Sequence, residues 1–183
     1  MGQCTTKLLN YLFPRPKLIL LLGHNGAGKT TILDQIKQVD QQIQSVELPP
    51  QGFLLDQLDI SDDIQIQSWD HNPNWFNKGL QTMFYQDASA IVYVIDSSDI
   101  SRQEEFKLDF WKIINEEFLR DDVIVLIANK MDLPGSLRVE EIHRIYELDK
   151  FKNRPFKLVQ SQINDKESLN EIFQWIYRTI NTT

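Results

Sequence analysis

The sequence predicts an α/β fold: a mainly parallel sheet of six strands, one of them antiparallel through a hairpin, with helices on both faces. Three observations predict it. Leu18–Leu22, Ala90–Ile95 and Val123–Ala128 are solid apolar runs with no polar alternation, as expected of strands covered on both sides. Stretches with apolar residues at helical spacing separate them. The chain has 183 residues, 42% hydrophobic and 25% charged, which suits one globular domain.

In chain order, Leu18–Leu22 ends at Gly23 and opens a glycine-rich loop. Ile32, Ile36, Val39 and Ile43 then mark a helix, with Pro49-Pro50 beyond it. Phe53–Ile60 and Ile64–Trp69 read as two strands around the turn residues Ser61-Asp62-Asp63. Ala90–Ile95 is the next buried strand, and Phe106, Phe110, Ile113, Ile114 and Phe118 form a helical face. Val123–Ala128 is followed by a helix carrying Ile142, Ile145 and Leu148, then a short strand, Phe156–Val159. Leu169, Ile172, Phe173, Ile176 and Ile180 close the chain as a helix. Strand–helix alternation of this kind gives parallel strands, and ligands of such sheets bind at the strands' carboxyl ends.

Composition excludes several classes. A single cysteine, Cys4, leaves no disulfide within the chain and no cysteine metal site. No apolar run approaches the ~20 residues that span a bilayer. A net charge of −7 argues against nucleic acid as a partner. The charge is uneven: Lys7, Arg15, Lys17 and Lys29 all precede Asp34, the first acidic residue.

Gly23-His24-Asn25-Gly26-Ala27-Gly28-Lys29-Thr30 fits G-x-x-x-x-G-K-[ST], between an expected strand and an expected helix. In that pattern backbone N–H groups surround phosphate oxygens and the helix N-terminus adds its positive end. Gly23, Asn25, Gly26, Ala27, Gly28, Lys29, Thr30 and Thr31 are therefore the candidate phosphate site. Lys29 would reach the β- and γ-phosphates, and the Thr30 hydroxyl would take Mg²⁺. Asn129-Lys130-Met131-Asp132 follows the run Val123–Ala128, so it too stands at a strand end. A carboxylate there accepts two hydrogens from guanine, which adenine cannot supply. Asp132 would make that pair, Asn129 would hold the ring's acceptor side, and the Lys130 stem would cover the base.

With these motifs, Trp69-Asp70, Ala90–Asp99 (AIVYVIDSSD) and Leu169–Ile176 (LNEIFQWI), the chain resembles the ADP-ribosylation-factor (Arf) and Arf-like small GTPases over essentially its whole length. The resemblance implies the P-loop small-GTPase fold and GTP or GDP with Mg²⁺ as cofactors. It implies Asp70 as a carboxylate holding Mg²⁺ through water. Ser161, Gln162 and Ile163 would form the last base-contacting loop, though without its usual small-residue signature. It further implies protein effectors, or a host assembly, on the switch and hairpin face.

Two departures bear on turnover. The family's first switch carries a threonine that ligates Mg²⁺ and senses the γ-phosphate; here Pro49-Pro50-Gln51-Gly52-Phe53 puts Pro50 in its place, with no hydroxyl and no N–H. The second switch, normally Asp-x-Gly-Gly-Gln, reads Asp70-His71-Asn72-Pro73-Asn74. Pro73 has no N–H for the γ-phosphate. Asn74 presents the water-orienting amide on a stem one methylene shorter, and it is the only catalytic candidate. His71 reads as a loop histidine or as a substitute base.

Met1-Gly2-Gln3-Cys4-Thr5-Thr6 matches the N-myristoylation pattern at Gly2. One acyl chain anchors only marginally, and a palmitoyl group on Cys4 could add the second signal. Leu8 with Leu12, and Leu9 with Phe13, give residues 1–16 one apolar helical face; Lys7, Arg15 and Lys17 could meet anionic headgroups. Residues 17–183 form the GTP-binding domain. The expected location is cytoplasmic and membrane-associated. Two rivals stand: a segment folded on its own domain, or a mitochondrial address, which cleavage near Leu18 would make costly to the core. Three functions are in play. The first is an Arf-like switch with weak hydrolysis. The second is a pseudo-GTPase serving as a structural or adaptor subunit, including of an organellar assembly. The third is an ATP-using kinase, which the guanine-type loop opposes.

Overall fold

A computed structural model describes residues 16–39, 44–46, 54–61, 63–70, 85–152, 154–161 and 166–182. All six expected strands form: β1 (Lys17–Gly23), β3 (Leu54–Ser61), β4 (Ile64–Asp70), β5 (Ala88–Asp96), β6 (Val123–Asn129) and β7 (Phe156–Gln160). A three-residue edge strand, β2 (Gln44–Val46), joins them in the order β2-β3-β4-β1-β5-β6-β7. β1, β4, β5, β6 and β7 run parallel, while β3 is antiparallel to both β2 and β4. The described residues hold four α-helices: α1 (Lys29–Val39), α2 (Gln103–Ile114), α3 (Val139–Ile145) and α4 (Lys166–Thr182).

The apolar runs explain the two layers. Side chains of a strand alternate between faces, so a strand with no polar positions must be covered twice. Leu18, Leu20 and Leu22 join Ile91, Tyr93 and Ile95, with Ile124 and Leu126, beneath Phe106, Phe110 and Ile113 of α2 and Ile142 of α3. Ile19 and Leu21 join Ala90, Val92 and Val94, with Val125 and Ile127, beneath Ile32, Leu33 and Ile36 of α1 and Leu169, Ile172 and Ile176 of α4. Each such Leu or Ile, fully buried, stabilises the fold by about 1.5–3 kcal/mol.

One expectation is corrected. Phe118 does not extend the α2 face: the helix ends at Ile114, and Phe118 lies exposed in a short 3₁₀ turn, Glu117–Leu119, whose Leu119 is buried instead. Lys17 Nζ donates to the Ile180 carbonyl (2.8 Å) and to Asn181 Oδ1 (2.5 Å), where a cation complements the carboxyl end of α4. No helix among the described residues is long and apolar enough to cross a membrane. A groove of about 840 Å³ opens between α1, α4 and the β3–β4 hairpin, lined in part by Ile36, Ile60, Ile64 and Phe173. None of its lining residues belongs to the two loops described next.

Candidate functional site

Five parallel strands bring the candidate residues to one edge of the sheet. Gly23 pairs with Asp70 across β1 and β4, Asp96 with Asn129 across β5 and β6, and Ala128 with Gln160 across β6 and β7. All five strands end here, so the loops that follow them meet.

The first loop leaves β1 at Gly23, with φ +146°. A Cβ there would stand 2.3 Å from the Val94 carbonyl oxygen, so only glycine lets the chain leave pressed against β5. Gly26 (φ +82°) and Gly28 (φ +100°) keep the loop in conformations that other residues rarely adopt. Lys29 is buried, and its Nζ donates to the carbonyls of Gly23 (2.8 Å) and His24 (2.9 Å). The loop's cation thus lies across the turn that its own backbone makes. Helix α1 begins at once, with Ile32 N donating to the Gly28 carbonyl (3.0 Å). Asn25, Thr30 and Thr31 are exposed, and Ala27 is buried.

This arrangement fits a polyphosphate. It offers a buried ammonium, glycine backbone in the left-handed region, a helix N-terminus, and space beside Gly26, where no described residue lies within 4 Å of a Cβ position. The donor types also suit a hard cation: a threonine hydroxyl on the first turn of α1, and Asp70 closing β4 opposite Gly23.

The second loop leaves β6 at Asn129, which is buried and donates its Nδ2 to the Ala27 carbonyl (2.7 Å). One side chain therefore ties the base-type loop to the phosphate-type loop. Lys130 takes a left-handed conformation, φ +61°, and its Nζ pairs with Asp96 Oδ2 at 2.7 Å. Asp96 also accepts from Ser98 N (3.0 Å) and Ser98 Oγ (2.6 Å). Burial works to raise the Asp96 pKa, but the bonds from Lys130 and Ser98 together hold it below the ordinary carboxylate value. Lys130 is thereby fixed as a rigid arm beside the loop, and Asp132 stands exposed two residues on. Ser97 N donates to the Asn129 carbonyl and Ser161 N to the Ala128 carbonyl, both at 2.9 Å, so the β5 and β7 ends close around the same loop.

Sequence reasoning missed the roles of three residues here. Asp96 and Ser98 were visible only as part of a family motif, with no role. His24 looked like a spacer, yet it pairs with Asp109 of α2. Gly2, Cys4, Pro50, His71, Pro73, Asn74, Gln162 and Ile163 lie outside the described residues.

The sequence profile of the ADP-ribosylation factor family matches residues 5–180. The chain belongs to the ADP-ribosylation factor family. It is 31% identical over 180 residues to ADP-ribosylation factor-like protein 1 of Drosophila melanogaster, covering 98% of each chain. It is 31% identical over 181 residues to ADP-ribosylation factor 1 of Brassica rapa subsp. pekinensis, covering 98% of this chain and 97% of the relative. It is 32% identical over 164 residues to ADP-ribosylation factor-like protein 3 of Caenorhabditis elegans, covering 86% of this chain and 84% of that one. The sheet of parallel strands with one antiparallel hairpin agrees with the ADP-ribosylation factor fold, and the family's character is guanine-nucleotide binding.

Proposed function

We propose that the chain holds GTP or GDP at the carboxyl edge of its sheet and that it hydrolyses GTP slowly or not at all. The Asn129–Ala27 link carries the first half, because it couples a loop suited to phosphates with a loop suited to guanine. In this reading Gly23, Asn25, Gly26, Ala27, Gly28, Lys29, Thr30 and Thr31 surround the phosphates. Asn129, Lys130, Asp132 and Gln162 take the base. Thr30, and Asp70 through water, would hold Mg²⁺, which would neutralise charge between the β- and γ-phosphates.

The second half rests on Pro50, Pro73 and Asn74. Phosphoryl transfer depends on positioning, and two prolines stand where donors to the γ-phosphate are needed. The chain then acts as a membrane-associated Arf-like protein anchored through Gly2 and Cys4, meeting effectors through its switch and hairpin face. The same prolines favour a second reading, a pseudo-GTPase that keeps its nucleotide as a structural subunit of an assembly.

A single-turnover assay with labelled GTP tests this. A conventional relative without its activator turns over at about 10⁻⁴ to 10⁻³ per second. This chain should be slower, and Pro50→Thr, Pro73→Gly and Asn74→Gln together should raise its rate more than any one alone. Hydrolysis by the native chain at the ordinary rate would refute the reading. Extraction of bound nucleotide from the purified protein identifies the base independently.

A further inference from the structure

His24 belongs to the phosphate loop, but its imidazole is directed at α2. It is buried, 8% exposed, with its ring centroid 4.6 Å from that of Phe106. Its Nε2 lies 2.7 Å from Asp109 Oδ2, and its Nδ1 lies 4.0 Å from Glu105 Oε1. Glu105 and Asp109 are four residues apart, so they share a face of α2, with Phe106 between them. On its other side, the His24 carbonyl accepts from Lys29 Nζ. One residue therefore carries both a contact of the loop's cation and a tie to a helix of the rigid core.

We propose that His24 is a positioning residue: its 2.7 Å contact with Asp109 holds the phosphate loop in its binding shape, and losing that contact shortens nucleotide residence. The inference rests on the guanine-nucleotide reading and adds a control element to the same site. Three loop residues are glycines in left-handed or open backbone, so an untied loop would lose much freedom on closing around phosphates. A loop held in place beforehand avoids that cost.

The test is release of fluorescently labelled GDP from the full chain, with thermal unfolding measured in parallel. His24→Gln and Asp109→Leu should each speed release by about tenfold, and the double variant should be no faster than either alone, because both remove one contact. His24→Leu, which keeps the apolar packing on Phe106, should release as fast as Asp109→Leu. Additive single effects, or variants that lose thermal stability with unchanged release, would each overturn the inference. A native chain that takes up no labelled GDP fails the guanine reading itself, and this inference with it. Normal uptake with unaffected variants fails this inference alone.

Discussion

Gly28→Ala and Gly26→Ala should differ, and the structure sets the size of the difference. Both glycines sit in the phosphate loop at positive φ, +100° and +82°. An alanine at either place carries the cost of left-handed backbone, about 1–2 kcal/mol. At Gly26 that is all, since no described residue lies within 4 Å of the new Cβ. At Gly28 the Cβ would fall 2.2 Å from Asn129 Nδ2. Asn129 is buried, so it must turn away and break its 2.7 Å bond to the Ala27 carbonyl. A buried bond lost with its partner left unsatisfied costs about 1–3 kcal/mol more. Gly28→Ala should therefore destabilise by roughly 2–5 kcal/mol, against about 1–2 for Gly26→Ala. Denaturant unfolding reads the stability difference, and calorimetry with GDP reads affinity. Asn129→Ala should add little in the Gly28→Ala background, because the bond is already gone. Equal losses at the two glycines, or a full additional loss from Asn129→Ala, would refute the coupling of the two loops.

Three further outcomes follow from other parts of the chain. Asp122 is half-buried and its carboxyl is pushed up to about 7, chiefly by burial, against the attraction of Arg154. A folded-state value raised above the unfolded one means that stability falls as pH rises from about 4 toward 7. Asp122→Asn should flatten that fall and stabilise the chain by about 1–2 kcal/mol at pH 8 after allowance for solvent screening, and parallel melting-temperature curves for the two proteins would contradict it. Asp132→Asn should weaken GTP and GDP by at least about tenfold, or ~1.4 kcal/mol, with ATP as poor as before; a competition experiment in which the native chain prefers ATP would sink the base assignment. If the proposed acyl anchor is present, Gly2→Ala should release the protein from membranes in cells, seen by fractionation, since the acyl group would attach there and a second acylation would need that first contact; full retention would point to docking through a protein partner.

The sheet was legible because its strands carry no polar alternation: once Leu18–Leu22 had to be covered on both faces, helices on both sides were forced. The edge strand Gln44–Val46 was not legible, since Gln-Ser-Val has no apolar pattern and its place comes from pairing with Asp59, Leu58 and Gln57. The end of α2 was hidden for a related reason. Asn115, Glu116 and Glu117 suit an exposed helical face as well as a terminus, so the spacing ran on to Phe118. At the site, glycines and a lysine have a pattern that only a phosphate loop needs, and that pattern was readable. The links were not. That Asn129 reaches Ala27 and Lys130 reaches Asp96 depends on strand ends brought together, and that His24 reaches Asp109 on a helix packed over them, across 34 to 102 residues of chain.

These links also bear on how binding and switching separate. The bonds among Ala27, Asn129, Lys130 and Asp96 fasten groups that would meet the base and the first phosphates, which GTP and GDP share. A ligand shifts a conformational equilibrium only through contacts that differ between states. The difference between GTP and GDP is one phosphate, and on the proposed reading its donors would stand at the positions that Pro50 and Pro73 hold. With those donors gone, the two nucleotides should bind within about tenfold of each other, ~1.4 kcal/mol, whereas moving an equilibrium from 1:99 to 99:1 takes about 5.5 kcal/mol. A pocket can thus keep its affinity while the chain loses its switch. The interlocked loop residues make that outcome physically coherent, because Lys29, Asn129 and Lys130 are held by bonds to Gly23, His24, Ala27 and Asp96.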